Sequence, residues 1–141
     1  MSAAPFATGR CLCGAVSYQV ASAPVRMSQC HCRDCQRASG TGHTSQAFFK
    51  VADVEVQGMP ASFAVTAESG NVVTRYFCPT CGSRIFNENT GRPGVLAVTV
   101  GCLDNSDWFA PEAVIYARNR AGWDATSVDI PNFEAMSPIP K

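Results

Sequence analysis

Three cysteines fall within six residues in Cys30-His31-Cys32-Arg33-Asp34-Cys35, and the 141-residue chain holds eight. Thiols this close have no role in ordinary core packing; thiolates so arranged are donors for a soft or borderline metal ion, zinc above all. Two further pairs frame them, Cys11-Leu12-Cys13-Gly14 and Cys78-Pro79-Thr80-Cys81-Gly82. The second is a zinc-knuckle pattern, a tight turn that aims both sulfurs inward before a glycine that tolerates unusual backbone angles. A Cys-x-x-Cys pair alone is also compatible with redox chemistry. Cys11, Cys13, Cys78 and Cys81 together make four thiolates, the closed tetrahedral set of a structural zinc. Cys30, Cys32 and Cys35 then hold a second zinc with one ligand missing, and catalytic zinc commonly keeps one exchangeable position. A second structural site, completed by Cys102, His43 or His31, is the alternative.

The remaining candidates are weaker. In an extended segment His31 points away from Cys30 and Cys32, which favours a hydrogen-bonding or packing role. His43 follows a Gly-Thr-Gly loop and could approach the site. Cys102 comes after a buried-type strand and reads as a small packed hydrophobe. No Ser-His-Asp set, phosphate loop or pair of matched carboxylates occurs.

These ligands need short, extended elements to carry them. Val16, Tyr18 and Val20 alternate with small or polar residues, so 15–20 is a strand, and a strand reaching back to Cys11 would put both sulfurs on one face. Residues 25–29 are extended and deliver the chain to Cys30. Residues 33–39 favour a short helix that Gly40 and Gly42 end. Strands are expected at 45–51, 54–57, 62–66, 72–77, 83–87, 95–100 and 112–117, with turns at 58–60, 68–71 and 89–94. The tail from Asp129 holds three of the nine prolines. The expectation is one predominantly β domain over residues 1–141 with one or two short helices.

Composition narrows the function classes. Hydrophobic residues make up 46% and charged residues 16%, which marks a folded globular chain. Eleven Lys and Arg balance eleven Asp and Glu without any basic run, so the electrostatic footprint of a nucleic-acid binder is missing. Residues 1–10 show no basic start followed by an apolar run, and no apolar stretch nears the roughly 20 residues of a membrane span. A cytoplasmic protein is expected, where cysteines serve as metal ligands more often than as disulfides.

Three motifs together resemble the glutathione-dependent formaldehyde-activating enzyme family, which also includes the chromatin-associated centromere protein V. They are Gly-x-Cys-x-Cys-Gly-Ala-Val-x-Tyr at 9–18, Cys-His-Cys-x-x-Cys-Gln-Arg-x-x-Gly at 30–40 and Phe-Cys-x-x-Cys-Gly-Ser at 77–83. Residues 111–123 and the Pro-rich end are similar too. The resemblance implies an Mss4-like fold of small curved antiparallel β-sheets around zinc. It also implies a structural zinc at Cys11, Cys13, Cys78 and Cys81, and a second at Cys30, Cys32 and Cys35. The family's founding activity joins glutathione and formaldehyde as S-(hydroxymethyl)glutathione, a carbon–sulfur lyase reaction run in reverse.

That chemistry requires a thiolate at neutral pH, which an open zinc can supply by lowering the pKa of a bound thiol; it could instead polarise the carbonyl oxygen. Three thiolates already leave the site anionic, so cations beside it are expected. Arg33 and Arg37, four apart on a short helix, share a face and could receive the carboxylates of a glutathione-like peptide. The alternative for both is a surface arginine that offsets local charge. Arg75 and Arg84 are expected near the four-cysteine cluster. The leading function is thus a zinc-dependent carbon–sulfur lyase acting on a small thiol. The alternatives are a zinc-stabilised binding module or a carrier of formaldehyde on glutathione.

Overall fold

The computed structural model describes residues 4–125 and 129–137. Within them the chain is mainly β, with ten strands, one α-helix and three single 3-10 turns. The strands are β1 Ala7–Arg10, β2 Ser17–Val20, β3 Arg26–Cys30, β4 Thr44–Lys50 and β5 Val54–Gln57, then β6 Ala61–Thr66, β7 Val72–Phe77, β8 Arg84–Asn89, β9 Val95–Thr99 and β10 Ala113–Ile115. They form a three-stranded sheet, β1-β2-β5, and a seven-stranded sheet, β10-β3-β4-β9-β8-β7-β6.

Two-residue periodicity makes the larger sheet two-sided. Ala47 and Phe49 of β4, Leu96 and Val98 of β9 and Phe86 of β8 join Val16, Tyr18 and Val20 in one buried core. On the opposite face the register aligns Arg26 with Phe48, Phe48 with Ala97, Ala97 with Asn87, and Asn87 with Arg75. Ser28, Cys30 and Gln46 follow on that face two residues along, buried and polar where a second hydrophobic core would otherwise stand. The larger sheet packs with one face and presents chemistry with the other.

Several expectations are corrected in detail. The first predicted strand starts at Ser17, because residues 11–16 turn sharply, and it pairs with a preceding strand, β1. Val51 and Val100 open 3-10 turns instead of extending β4 and β9, whereas β8 runs on to Asn89. The strand expected at 112–117 contracts to β10, which pairs with β3 in parallel, the one departure from antiparallel pairing between the named strands. The proline-rich end beyond residue 137 lies outside the described residues. Among the described residues no helix is long and apolar enough to cross a membrane.

Helix α1, Arg33–Ser39, forms where expected. The Cys32 sulfur accepts a hydrogen bond from the Cys35 amide at its N-terminus, and Gly40, left-handed with φ 77°, ends it. Gln36 fixes the helix to its surroundings. Its buried amide nitrogen donates to the carbonyls of His31 at 2.8 Å and Asn119 at 2.9 Å.

Candidate functional site

Two turns build the first cysteine cluster. After β1 the Cys11 amide donates to the Val16 carbonyl and the Gly14 amide to the Cys11 carbonyl. After β7 the Gly82 amide donates to the Cys78 carbonyl, closing an equivalent knuckle. Gly14 (φ 82°) and Gly82 (φ 79°), each just past the second cysteine of its pair, take the left-handed conformation that an L-residue resists. The Leu12 amide donates to Ser83 Oγ at 2.9 Å, locking one knuckle to the other.

The sulfurs of Cys11 and Cys13, and of Cys13 and Cys78, lie 3.7 Å apart. A tetrahedron with zinc–sulfur bonds of about 2.3 Å has edges of about 3.8 Å. Cys11, Cys13, Cys78 and Cys81 therefore fit a zinc ion in number, element and spacing. The Ser83 hydroxyl and backbone, with the Cys13 backbone, pull the Cys81 thiol down to about 5. Against a hydrogen bond from the Ala15 backbone, burial and the neighbouring Cys78 sulfur push the Cys13 thiol up to about 11, so the four sulfurs share their protons unevenly.

Cys30, Cys32 and Cys35 form the second cluster. The end of β3 supplies Cys30, and the first turn of α1 brings Cys35 back to meet it. Ile115, Tyr116, Phe133 and Ala135 pack around them as an apolar shell. Tyr116 adopts φ 55°, a left-handed backbone that costs a bulky residue on the order of 1–3 kcal/mol. Hydrogen bonds from Cys30 and Cys32, aided by the charge of Arg75, draw the Cys35 thiol well below its ordinary value, and the shared proton leaves Cys30 raised. Arg75 Nη2 stands 3.9 Å from Cys35 Sγ, and Gln46 Nε2 lies 3.8 Å from it. This corrects the expectation for Arg75, which serves the three-cysteine cluster.

The three sulfurs open onto a cavity of about 370 Å³. Its floor is the polar face of the seven-stranded sheet, and its walls are α1, the turn at 66–69 and the segment 115–119. Four arginines line it: Arg26, Arg33, Arg75 and Arg92. Arg37 is not among the lining residues, although Arg33 is. Arg33 bonds Gln36 Oε1 and Arg26 bonds Ser137. The Arg92 guanidinium lies over the Phe48 ring, 4.3 Å from its centroid, and burial pulls its pKa down to about 10. Among the described residues Arg92 Nε and Ser28 Oγ lack hydrogen-bond partners, and Arg33, Arg75 and Arg92 make no ion pair. A cavity with unpaired guanidinium groups beside thiols suits an anionic ligand.

Sequence reasoning assigned no cavity role to Arg26, Arg75 or Arg92. Arg26 was legible, because it lies four residues before Cys30 on an extended segment and so shares its face. Arg75 and Arg92 reach the cavity only through the register of β7, β8 and β9 and the turn that joins the last two. Cys102 stays outside both clusters, its Sγ 3.1 Å from the Arg84 carbonyl. His31 and His43 turn away from the three sulfurs and lie together with Asp124.

Comparison with known proteins fits this arrangement. A family model described as glutathione-dependent formaldehyde-activating enzyme matches residues 6–119. No curated protein matches the chain. Among solved structures, a Rhodobacter sphaeroides protein from a structural-genomics programme is similar with a TM-score of 0.57 and 23% identity, covering 70% of this chain and 88% of that one. At that identity the likeness speaks for the fold alone.

Proposed function

This chain belongs to the glutathione-dependent formaldehyde-activating enzyme family, and from that premise we propose that it is a zinc-dependent carbon–sulfur lyase-type enzyme. It joins a small anionic thiol such as glutathione with formaldehyde or a related electrophile. Cys11, Cys13, Cys78 and Cys81 hold a structural zinc, and Cys30, Cys32 and Cys35 hold a second. Cys30, Cys32 and Cys35 would hold that zinc, and once bound it would supply a lowered pKa to a substrate thiol beside them.

The chain's own residues bind and orient. Arg75 beside Cys35 offsets the negative charge that collects there when a fourth sulfur arrives. Arg26, Arg33 and Arg92 stand around the cavity to receive the substrate's carboxylates, Arg92 from a half-buried position. The apolar shell of Ile115, Tyr116 and Phe133 keeps water from the sulfurs. In the reaction the sulfur bonds to the carbonyl carbon, the carbon–oxygen double bond becomes single, and the proton lost by the thiol ends on that oxygen. Reversal breaks the carbon–sulfur bond. A cytoplasmic setting, where thiols stay reduced, suits this chemistry.

One observation carries the reading: three convergent thiols on the wall of a cavity that also presents four arginines. Calorimetry on the zinc-loaded chain tests it. Glutathione is expected to bind with measurable heat, and S-methylglutathione, whose sulfur cannot ionise, to bind weakly or not at all. Cys35→Ser should lose glutathione binding while the four-cysteine zinc stays in place. An absence of heat with glutathione, on protein holding both zincs, contradicts the proposal.

A further inference from the structure

We propose that His31, His43 and Asp124 form a third metal site, which takes a borderline divalent cation such as zinc or cobalt, back to back with the three-cysteine cluster. The segment after β3 keeps its extended alternation. Cys30 and Cys32 therefore face the cavity, and the ring of His31 between them faces the other way. On that side His31 is 0% exposed, and neither ring nitrogen has a hydrogen-bond partner. The nearest polar groups are looser approaches, from the Gly42 backbone and from Asp124 Oδ2 at 3.5 Å. A fully buried imidazole with no well-made hydrogen bond is rare in a folded protein.

The groups around it are those a cation needs. His43 brings its ring to 4.9 Å from that of His31, centroid to centroid, and its Nδ1 to 2.6 Å from Asp124 Oδ2. The ligand atoms of the three residues all lie within 4.8 Å of one another. Bonds of about 2.0–2.1 Å in a tetrahedral site hold donors about 3.3 Å apart, so a modest turn of the His43 ring seats all three. A Cβ at position 42 would stand 2.1 Å from Asp124 Oδ2, so the chain is glycine where the carboxylate passes. Arg120 donates to the Asp124 carbonyl and fixes the loop that carries it. The Gln29 amide nitrogen lies 3.4 Å from His43 Nε2, and donating there it puts the ring proton on Nδ1, toward Asp124, so a cation displaces that proton as it binds.

Two imidazoles and one carboxylate suit zinc, cobalt or nickel, and not the all-sulfur chemistry of the neighbouring clusters. The His43 and Asp124 side chains are 22% and 14% exposed, so one side of the site is open to water, which completes the coordination. Because His31 stands between Cys30 and Cys32, a cation here ties the 120–125 loop to the ligands of the candidate catalytic zinc. The site rests on its own residues and does not depend on the proposed reaction.

Cobalt exchange into the reduced, folded, zinc-loaded chain tests it, with bound metal counted by mass spectrometry. Two equivalents at the sulfur clusters give thiolate-to-cobalt charge-transfer absorption. A third is expected to add only weak d–d bands, for about three ions per chain in all. Asp124→Asn and His43→Gln should each bring the count to about two while charge-transfer intensity is unchanged, which shows that both sulfur clusters still form. Wild-type saturation at two equivalents overturns the proposal and leaves a hydrogen-bonded cluster. A third equivalent that survives both substitutions overturns it as well.

Discussion

Replacing Arg92 with methionine should move affinity and stability in opposite directions. The guanidinium lies over the Phe48 ring, its Nε lacks a partner, and no carboxylate pairs with it among the described residues. Its pKa falls from 12.5 to about 10 through burial, so at neutral pH the fold bears a cost that the unfolded chain does not. At 1.36 kcal/mol per pKa unit that cost is at most about 3 kcal/mol, and it disappears as pH rises through about 10 and above. Stacking on Phe48 returns about 1–2 kcal/mol. Methionine keeps the apolar stem on the ring and removes the charge, so Arg92→Met should be neutral or stabilising by about 1 kcal/mol, a rise of a few degrees in Tm. A lost charge-assisted hydrogen bond of about 1.5–3 kcal/mol should weaken glutathione binding by roughly 10- to 100-fold. Thermal unfolding and calorimetry on the same zinc-loaded preparation read both effects. An unchanged glutathione Kd, or a fall in Tm of several degrees, refutes the reasoning.

Gln36→Leu removes an amide that satisfies two carbonyls, at His31 and Asn119, and should destabilise the chain by about 2–3 kcal/mol in chemical denaturation. A change below about 0.5 kcal/mol would show that the clamp is dispensable. Ser83→Ala removes the largest influence holding the Cys81 thiol low, so protons should compete with metal at a higher pH. Zinc release to a chromogenic chelator should accordingly begin at higher pH in Ser83→Ala than in wild type, and superimposable profiles would contradict this. Cys78→Ser removes a fully buried donor of the four-sulfur set and should cost the fold itself, visible as lost near-ultraviolet dichroism, whereas Cys35→Ser should not.

What could be read from the chain followed local rules. Helix α1 was legible from its helix-compatible run and the glycines after it, and most strands from alternation between turn residues. The convergence of Cys30, Cys32 and Cys35 follows from an extended pair and one helical turn. The partnership of Cys11 and Cys13 with Cys78 and Cys81 joins residues 65 apart, and it was legible only because the two pairs together make up four thiolates; the turn that carries Cys11 and Cys13 was not. The first strand and the parallel docking of β10 on β3 were not legible, because short strands take their register from partners far along the chain. For the same reason Arg75 and Arg92 could not be placed: Arg75 reaches the cavity through the register of β7 on β8 and β9, and Arg92 through the turn that joins β8 to β9. Asp124, alone in a loop, carries no spacing signal toward His31 or His43.

The central claim is that a substrate thiol fills the missing position beside Cys30, Cys32 and Cys35. Cadmium-113 NMR of the cadmium-substituted chain tests it directly, since cadmium bound by four sulfurs and by three resonates at separate frequencies. Adding glutathione should shift the three-sulfur signal to the four-sulfur region and leave the signal from Cys11, Cys13, Cys78 and Cys81 in place; S-methylglutathione should shift neither. If both sulfur clusters are filled and glutathione moves neither signal, no thiol binds there and the account is wrong.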